Sequence, residues 1–227
     1  QTCALPILKK FVLPNDYPDM SSSLMHIYLI EAGPRLLAGM SEESSAHAEQ
    51  FLREMGVNIL LNKRVVDYRD HKVVLEDGTE IATRTFIWVS GVTGVTIGNL
   101  DASLIGRGGR IKVDSFNRVE GMNNVFAIGD QCIQLADENY PNGHPQLAQV
   151  AIQQGELLAK NLIRMEKGQE MKPFHYRNLG SMATVGRNRA VAEFSKVKMQ
   201  GWFAWVMWLV VHLRSILGVR NKVIVLL

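Results

Sequence analysis

Two neighbouring stretches limit what this chain can become: Asn124-Val125-Phe126-Ala127-Ile128-Gly129-Asp130, and Gln146-Leu147-Ala148-Gln149-Val150-Ala151-Ile152-Gln153-Gln154-Gly155. The first has a run of apolar residues halted by a glycine, which predicts a buried strand through Val125 to Ile128. Gly129 lets the backbone approach a ligand closely, and Asp130 puts a carboxylate at the carboxyl end of that strand, where open α/β sheets bind their ligands. The second stretch opens a helix predicted over 146–166, signalled by Pro141, Asn142, Gly143, His144 and Pro145 just before it. Its first turns carry amides where a surface helix would usually carry charges. Gln149 and Gln153 are four residues apart and share one face. On spacing alone, both also suit solvent-facing helix formers.

A chain of 227 residues holds one large domain or two small ones. Its hydrophobic share of 47% and charged share of 21% fit a folded protein and argue against wholesale disorder. A net charge of +3, with dispersed basic residues, gives no footprint for nucleic acid. The two cysteines, Cys3 and Cys132, form no disulfide framework, and their spacing suits neither a redox pair nor a zinc site, so a reducing compartment is expected. Gln1–Leu8 has neither signal-peptide blocks nor a clear element pattern, and reads as foreign sequence at the head of a fragment.

Along the chain, Lys9–Ser23 shows turn chemistry. Leu24–Ile30 is predicted as a buried strand ending at Glu31-Ala32-Gly33-Pro34. In dinucleotide-binding folds a carboxylate at that place bonds the adenosine ribose; the alternative for Glu31 is a solvated strand-end residue. Ser41 is expected to cap a helix to about Met55, stopped by Gly56, with Ala48, Phe51, Leu52 and Met55 on its buried face. A strand at Val57–Leu61 and a meander (Arg64–Tyr68, Lys72–Leu75, Glu80–Ala82) follow, the last turn signalled by Asp77-Gly78. His71 falls in a turn and reads as exposed. Thr85–Val89 reads as a buried strand halting at Gly91-Val92, Thr93–Gly109 as a linker, and Arg110–Asp114 as a half-buried strand. Strands are also expected at Ser181–Val185 and Ala190–Phe194, across Gly186-Arg187-Asn188.

The Val125–Asp130 segment, the helix start Gln146–Gly155, Leu29–Leu37 and the segment from Tyr176 to Gly186 together resemble the type II NADH dehydrogenases. These are single-subunit two-dinucleotide flavoproteins that pass electrons from NADH to a membrane quinone. The resemblance covers about Lys9 to Leu227. It implies an α/β fold, a partial two-Rossmann (FAD/NAD(P)-binding) flavoprotein with a small β-meander and a carboxyl-terminal membrane-associating helical segment. The implied division is residues 9–92 from the NADH-binding domain, 93–170 from the FAD-binding domain and 171–227 from the membrane-associating domain.

It further implies FAD as cofactor and NADH as substrate, held by Gly129, Asp130, Gln149, Glu31, Gly91 and Val92. Gln149, Gln153 and Ala151 would face quinone. Uncharged amides can bond a quinone carbonyl without the cost of burying a charge. Flavin and nicotinamide carry the hydride chemistry, so no proton-transfer residue is nominated. His144 invites a catalytic role, but Gly143 and Pro145 suggest a structural turn. The family's frequent lysine at the position of Leu179 is missing, so no charge role is carried over there. Upstream phosphate loops are not in the sequence, so the chain alone is expected to bind FAD poorly and turn over no NADH.

Trp202–Val211 is apolar on every face and holds three of the four tryptophans, and Ser195–Leu227 has five basic residues and no acidic one. The run is too short to span a bilayer. Trp202, Trp205, Trp208 and Arg214 suit a helix lying among lipid headgroups. A core helix or a homodimer interface is the alternative. The expected setting is the cytoplasmic face of a bacterial inner membrane. Val223–Leu227 ends on an apolar run without a cap, as if cut. Two other readings stay open. One is a sulfide:quinone oxidoreductase, which needs a cysteine pair that Cys132 does not supply. The other is a non-catalytic membrane-binding module.

Overall fold

The structure, a computed structural model, describes residues 4–95, 97–195 and 197–215. Residues 1–3 of the expected foreign leader, Lys196 and the Val223–Leu227 run lie outside the described residues. In chain order the main elements are β1 (Ile27–Ile30), α1 (Glu42–Glu54), β2 (Val57–Leu60), β3 (Val65–Arg69), β4 (Lys72–Leu75), β5 (Glu80–Ala82), β6 (Ile111–Val113), β7 (Cys132–Gln134), α2 (Ala148–Glu166), β8 (Ser181–Gly186), β9 (Arg189–Phe194), β10 (Val197–Gln200) and α3 (Gly201–Ser215). They group into two compact units, 4–89 with 180–215, and 90–179.

In the first unit, β1 and β2 pair in parallel with Ile27 opposite Val57, and α1 is the crossover between them. The helix begins where Ser41 accepts the N–H of Ser44, has Glu42 and Glu43 in its first turn and ends before Gly56 at φ 80°. Its Ala48 and Leu52 pack with Ile27, Val57 and Ile59, and Val185 and Val191 of the antiparallel β8–β9–β10 sheet join the same core. Polar staples fix that sheet to the helix. The Glu193 carboxylate accepts the Ser41 N–H at 2.9 Å and the Ser41 hydroxyl, and Arg189 meets Glu54 at 2.6 Å. The meander β3–β4–β5 turns first at Asp70-His71, both at positive φ as a two-residue hairpin loop requires, with His71 exposed.

Helix α3 lies on the β8–β10 sheet through Ala204, fully buried against Ala190 and Ala192, with Trp205 packed beside them. Three small residues there let the backbones approach closely. Trp202, Phe203 and Val210 are exposed at 55%, 69% and 57%, so the apolar run is divided between a sheet-facing side and an outward side. Among the described residues no helix is long and apolar enough to cross a membrane.

In the second unit β6 and β7 pair in parallel, with Ile111 opposite Cys132, over a core of Ile111, Val113, Val119 and Cys132. Here one expectation is corrected. Val125–Ile128 is not a buried strand: Phe126 makes a single bridge to Arg118, and Val125 is 46% exposed. Gly129, at φ 66°, breaks the extended chain into a short 3-10 turn over Gly129–Gln131, and the buried strand follows the turn as β7. Thr85–Val89 is corrected likewise. No strand pairs with it among the described residues, and Ile87 and Trp88 are 55% and 61% exposed. Smaller shifts occur upstream. Leu24 belongs to a 3-10 turn rather than to β1, and where turn chemistry predicts loop from Lys9 the chain runs helical from Ala4 to Asp16, with a π-helical Leu8–Val12 between the short α-helical pieces Ala4–Ile7 and Leu13–Asp16.

The Glu193 cap yields a pH test. Burial pushes this carboxyl up, but bonds from Ser41 and Ser44 outweigh that and hold it below the usual range. Its contribution is therefore complete above the unfolded-state value near 4.3 and is lost as pH falls through the lower folded-state value. Glu193→Gln is expected to cost about 1.5 kcal/mol at neutral pH. In thermal unfolding the gap to the wild type should close on acidification; a gap independent of pH would contradict the capping role.

Candidate functional site

The turn after Phe126 and the start of α2 are built as one piece. The Gly129 N–H donates to Gln154 Oε1 at 2.7 Å, and the side chain of Gln146 donates to the Asp130 carbonyl at 3.2 Å. A Cβ placed on Gly129 would stand 3.3 Å from the Ala151 methyl, and positive φ already disfavours a side chain there. Gln154 is 1% exposed, so its amide is committed to this clasp, whereas the Asp130 side chain is exposed. Gln131 continues the arrangement by exchanging two bonds with the backbone of Val95, at 2.8 and 2.7 Å. That anchors the segment just after Gly91-Val92, where Gly91 has φ 83° and Val92 is 64% exposed. The N-cap of α2, Leu147, gives no side-chain bond, and the first turn has no acidic residue. A negative or electron-rich group thus finds there a dipole end not already neutralised by a side chain.

Gln149 and Gln153 do share a face of α2, as their spacing predicts, and Asn161 lies on it too. Each holds backbone. Asn161 exchanges bonds with Lys172 at 2.8 and 2.9 Å, Gln153 with Arg177 at 2.9 and 3.1 Å, and Gln149 Oε1 accepts the Leu179 N–H at 3.1 Å. Residues Lys172–Leu179 therefore run antiparallel along the helix as an extended strap. Between the Gln153 and Gln149 rungs the register has a simple cause: one four-residue step along a helix advances about 6 Å, and two extended residues advance about 6.6 Å. Phe174 and Tyr176 alternate inward against Val150, while His175 and Arg177 face out. The Phe174 N–H goes to the Ser115 carbonyl at 2.7 Å and that of Tyr176 to Asp137.

His144 is structural. It is 2% exposed, its Nε2 lies 3.0 Å from Asp137 Oδ2, and Tyr140, Phe174 and Tyr176 surround its ring. Burial raises Asp137, but bonds from His144, Asn139 and Tyr176 outweigh it and leave the carboxyl lowered. Arg110, its pKa lowered by burial, donates to the His144 carbonyl at 3.2 Å. Cys132 is a buried free thiol whose pKa burial pushes up, which disfavours the thiolate.

In the other unit Glu31 directly follows β1, at the carboxyl end of a parallel strand, and accepts the Gly33 N–H at 2.8 Å. Arg35 is spent on the carbonyls of Met40 and Ala38, at 2.6 and 2.9 Å. Of the three tryptophans of α3, Trp202 is the exposed one, Trp205 faces the sheet, and Trp208 stacks on His212 at 4.0 Å; Arg214 is exposed near the helix end. Sequence reasoning missed Gln131, Gln146, Gln154 and Asn161 as positioning residues. The signal was an excess of amides around Gly129 and along α2, which spacing alone could not assign to backbone.

Residues 17–155 match the family described as pyridine nucleotide-disulphide oxidoreductase, and residues 178–227 match the NDH2 C-terminal domain. The chain is similar to the type II NADH:quinone oxidoreductase NdhA of Mycobacterium tuberculosis, 34% identical over 95% of this chain and 47% of that protein. It is also similar to the internal alternative NAD(P)H-ubiquinone oxidoreductase A1 of Arabidopsis thaliana mitochondria, 32% identical over 87% of this chain and 42% of that protein. It spans about half the length of the curated relatives it matches. Among solved structures, NDH2 from Plasmodium falciparum in complex with NADH superposes with a TM-score of 0.85 at 19% identity, over 97% of this chain and 60% of that one. The sulfide:quinone oxidoreductase of Aquifex aeolicus reaches 0.67 at 14% identity, over 89% and 51%. The chain belongs to the pyridine nucleotide-disulphide oxidoreductases and, within them, to the type II NADH dehydrogenases.

Proposed function

We propose that the protein to which this chain belongs oxidises NADH with FAD and passes the electrons to a quinone. The observation that carries this reading is the clasp of the Gly129–Asp130 turn onto the start of α2, through Gln154, Gln146 and the Gly129–Ala151 approach. It fits a flavin: a glycine permits close approach, Asp130 offers an exposed carboxylate for sugar-alcohol hydroxyls, and an uncapped helix end favours an electron-rich ring edge. When bound, the flavin supplies the hydride and electron transfer between NADH and quinone. The chain's own residues bind and orient. Asp130 and Gln149 would hold the flavin side, and Gly91 and Val92 would border the nicotinamide. Gln149, Gln153 and Ala151 would line the quinone side, where amides direct a carbonyl without a buried charge.

Glu31 would bond the adenosine ribose of NADH, and Arg35, tied to carbonyls, is unavailable for an added phosphate. In this reading residues 9–92 serve NADH, 93–170 return to the FAD domain and 171–227 meet the membrane. Trp202 and Arg214, with Phe203 and Val210, would place the outward side of α3 against lipid headgroups on the cytoplasmic face of a bacterial membrane, with Trp205 packed on the sheet side and Trp208 stacked on His212. An NADH oxidation assay on the protein made from its native reading frame tests the activity. The expected outcome is bound FAD and turnover that depends on an added soluble quinone, with Asp130→Ala binding flavin more weakly by about tenfold to a hundredfold. Turnover indifferent to quinone, or unaltered flavin affinity in Asp130→Ala, would count against it. A second assay reads Glu31→Ala, for which KM for NADH should rise about tenfold while KM for quinone stays constant.

A further inference from the structure

We propose that the end of the strap, Arg177–Leu179, is an autoinhibitory segment: it occupies the amides of Gln149 and Gln153, and a quinone-like ligand that bonds those amides must first displace it, while the Asn161–Lys172 rung keeps the strap attached. The proposal rests on the quinone reading of Gln149 and Gln153.

The strap is held unequally along its length. At its far end Asn161 is 1% exposed and both of its amide groups bond Lys172, next to the buried Phe174 and Tyr176. Beyond Tyr176 no side chain of the strap is buried. Arg177 and Asn178 are exposed, Leu179 is 56% exposed, and the bonds to Gln153 and Gln149 are open to solvent. Exposed amide-to-backbone bonds exchange readily for bonds to water, and the one apolar side chain of this end, Leu179, is already more than half exposed, so detaching it sacrifices little apolar burial. The chemistry matches on both sides. Gln153 presents to Arg177 one donor and one acceptor, the pair that a quinone carbonyl and a quinol hydroxyl would use in its place. Because the peptide sits on the groups the ligand needs, the ligand's apparent affinity is reduced by the fraction of time the strap is closed.

The competition can be tested without altering either glutamine. Arg177→Pro and Leu179→Pro remove the backbone N–H groups that bond Gln153 and Gln149, whereas Arg177→Ala retains its N–H. In the intact protein, titration with a short-chain ubiquinone analogue followed by tryptophan fluorescence should show each proline variant binding roughly fivefold to tenfold tighter than wild type, and Arg177→Ala unchanged. Residue-resolved amide exchange on the wild type supplies a measurement that needs no variant to fold. Saturating analogue should speed exchange at Arg177 and Leu179 by a similar factor and leave Lys172 unchanged. If the analogue binds while those two amides stay protected, or the proline variants bind no tighter, the strap is a fixed staple and the proposal fails alone. If no analogue binds to wild type or variants, the quinone reading fails and the proposal with it.

Discussion

A polypeptide stretch without regular structure must still satisfy its backbone N–H and C=O groups, and in residues 90–179 this is done by amide side chains. Asn161, Gln153 and Gln149 bond the strap along one face of α2, Gln131 bonds Val95, and Gln154 bonds the Gly129 N–H. Carboxamides suit the task because each offers both a donor and an acceptor in the plane of a peptide group, so Gln and Asn can mimic a neighbouring strand. Without them the strap would lose its rungs on α2, and the turn at Gly129 would have no fixed distance from the helix. The candidate site owes its geometry to this network more than to its small apolar core.

The same network explains why parts of the site were legible and others were not. The helix at 148–166, its shared Gln149–Gln153 face and the glycine-carboxylate turn could be read directly, because period and turn chemistry are local properties. So could α1, from Ser41 to Gly56, and a turn at Arg69-Asp70-His71, which the structure narrows to a two-residue loop at Asp70-His71. What those amides bond was not legible. A glutamine facing solvent, ligand or backbone looks identical in sequence, and the strap that resolves it is a distant segment with no period of its own. The buried strand assigned to Val125–Ile128 failed for a related reason. Its apolar run is real, but the ladder partner pairs with Cys132–Gln134 after the turn, and pairing depends on a neighbour that pattern does not reveal. Thr85–Val89 shows the same dependence, its aromatic and branched residues standing exposed among the described residues.

His144 illustrates how a chemically attractive residue is claimed by structure. A histidine beside a ligand-binding helix invites a proton-transfer role, yet Asp137 and an aromatic box enclose it and leave its ring no route to solvent. The groups left facing outward at the turn and helix start are a carboxylate and amides. Such groups orient a cofactor that brings its own chemistry, which agrees with membership of a flavoprotein family. Division of labour also marks α3, where Ala204 and Trp205 belong to the sheet and Trp202 and Phe203 remain for a surface.

The central claim is that the Gly129–Asp130 turn and the beginning of α2 form one binding site for flavin and quinone. Photolabelling of the flavin-loaded protein with an azido-quinone, followed by peptide mapping, addresses it most directly. Labels concentrated within residues 129–131, 146–154 and 177–179, and suppressed by excess unlabelled quinone, are the predicted result. Competable labelling confined to the β3–β5 meander, with none on α2, would contradict the claim.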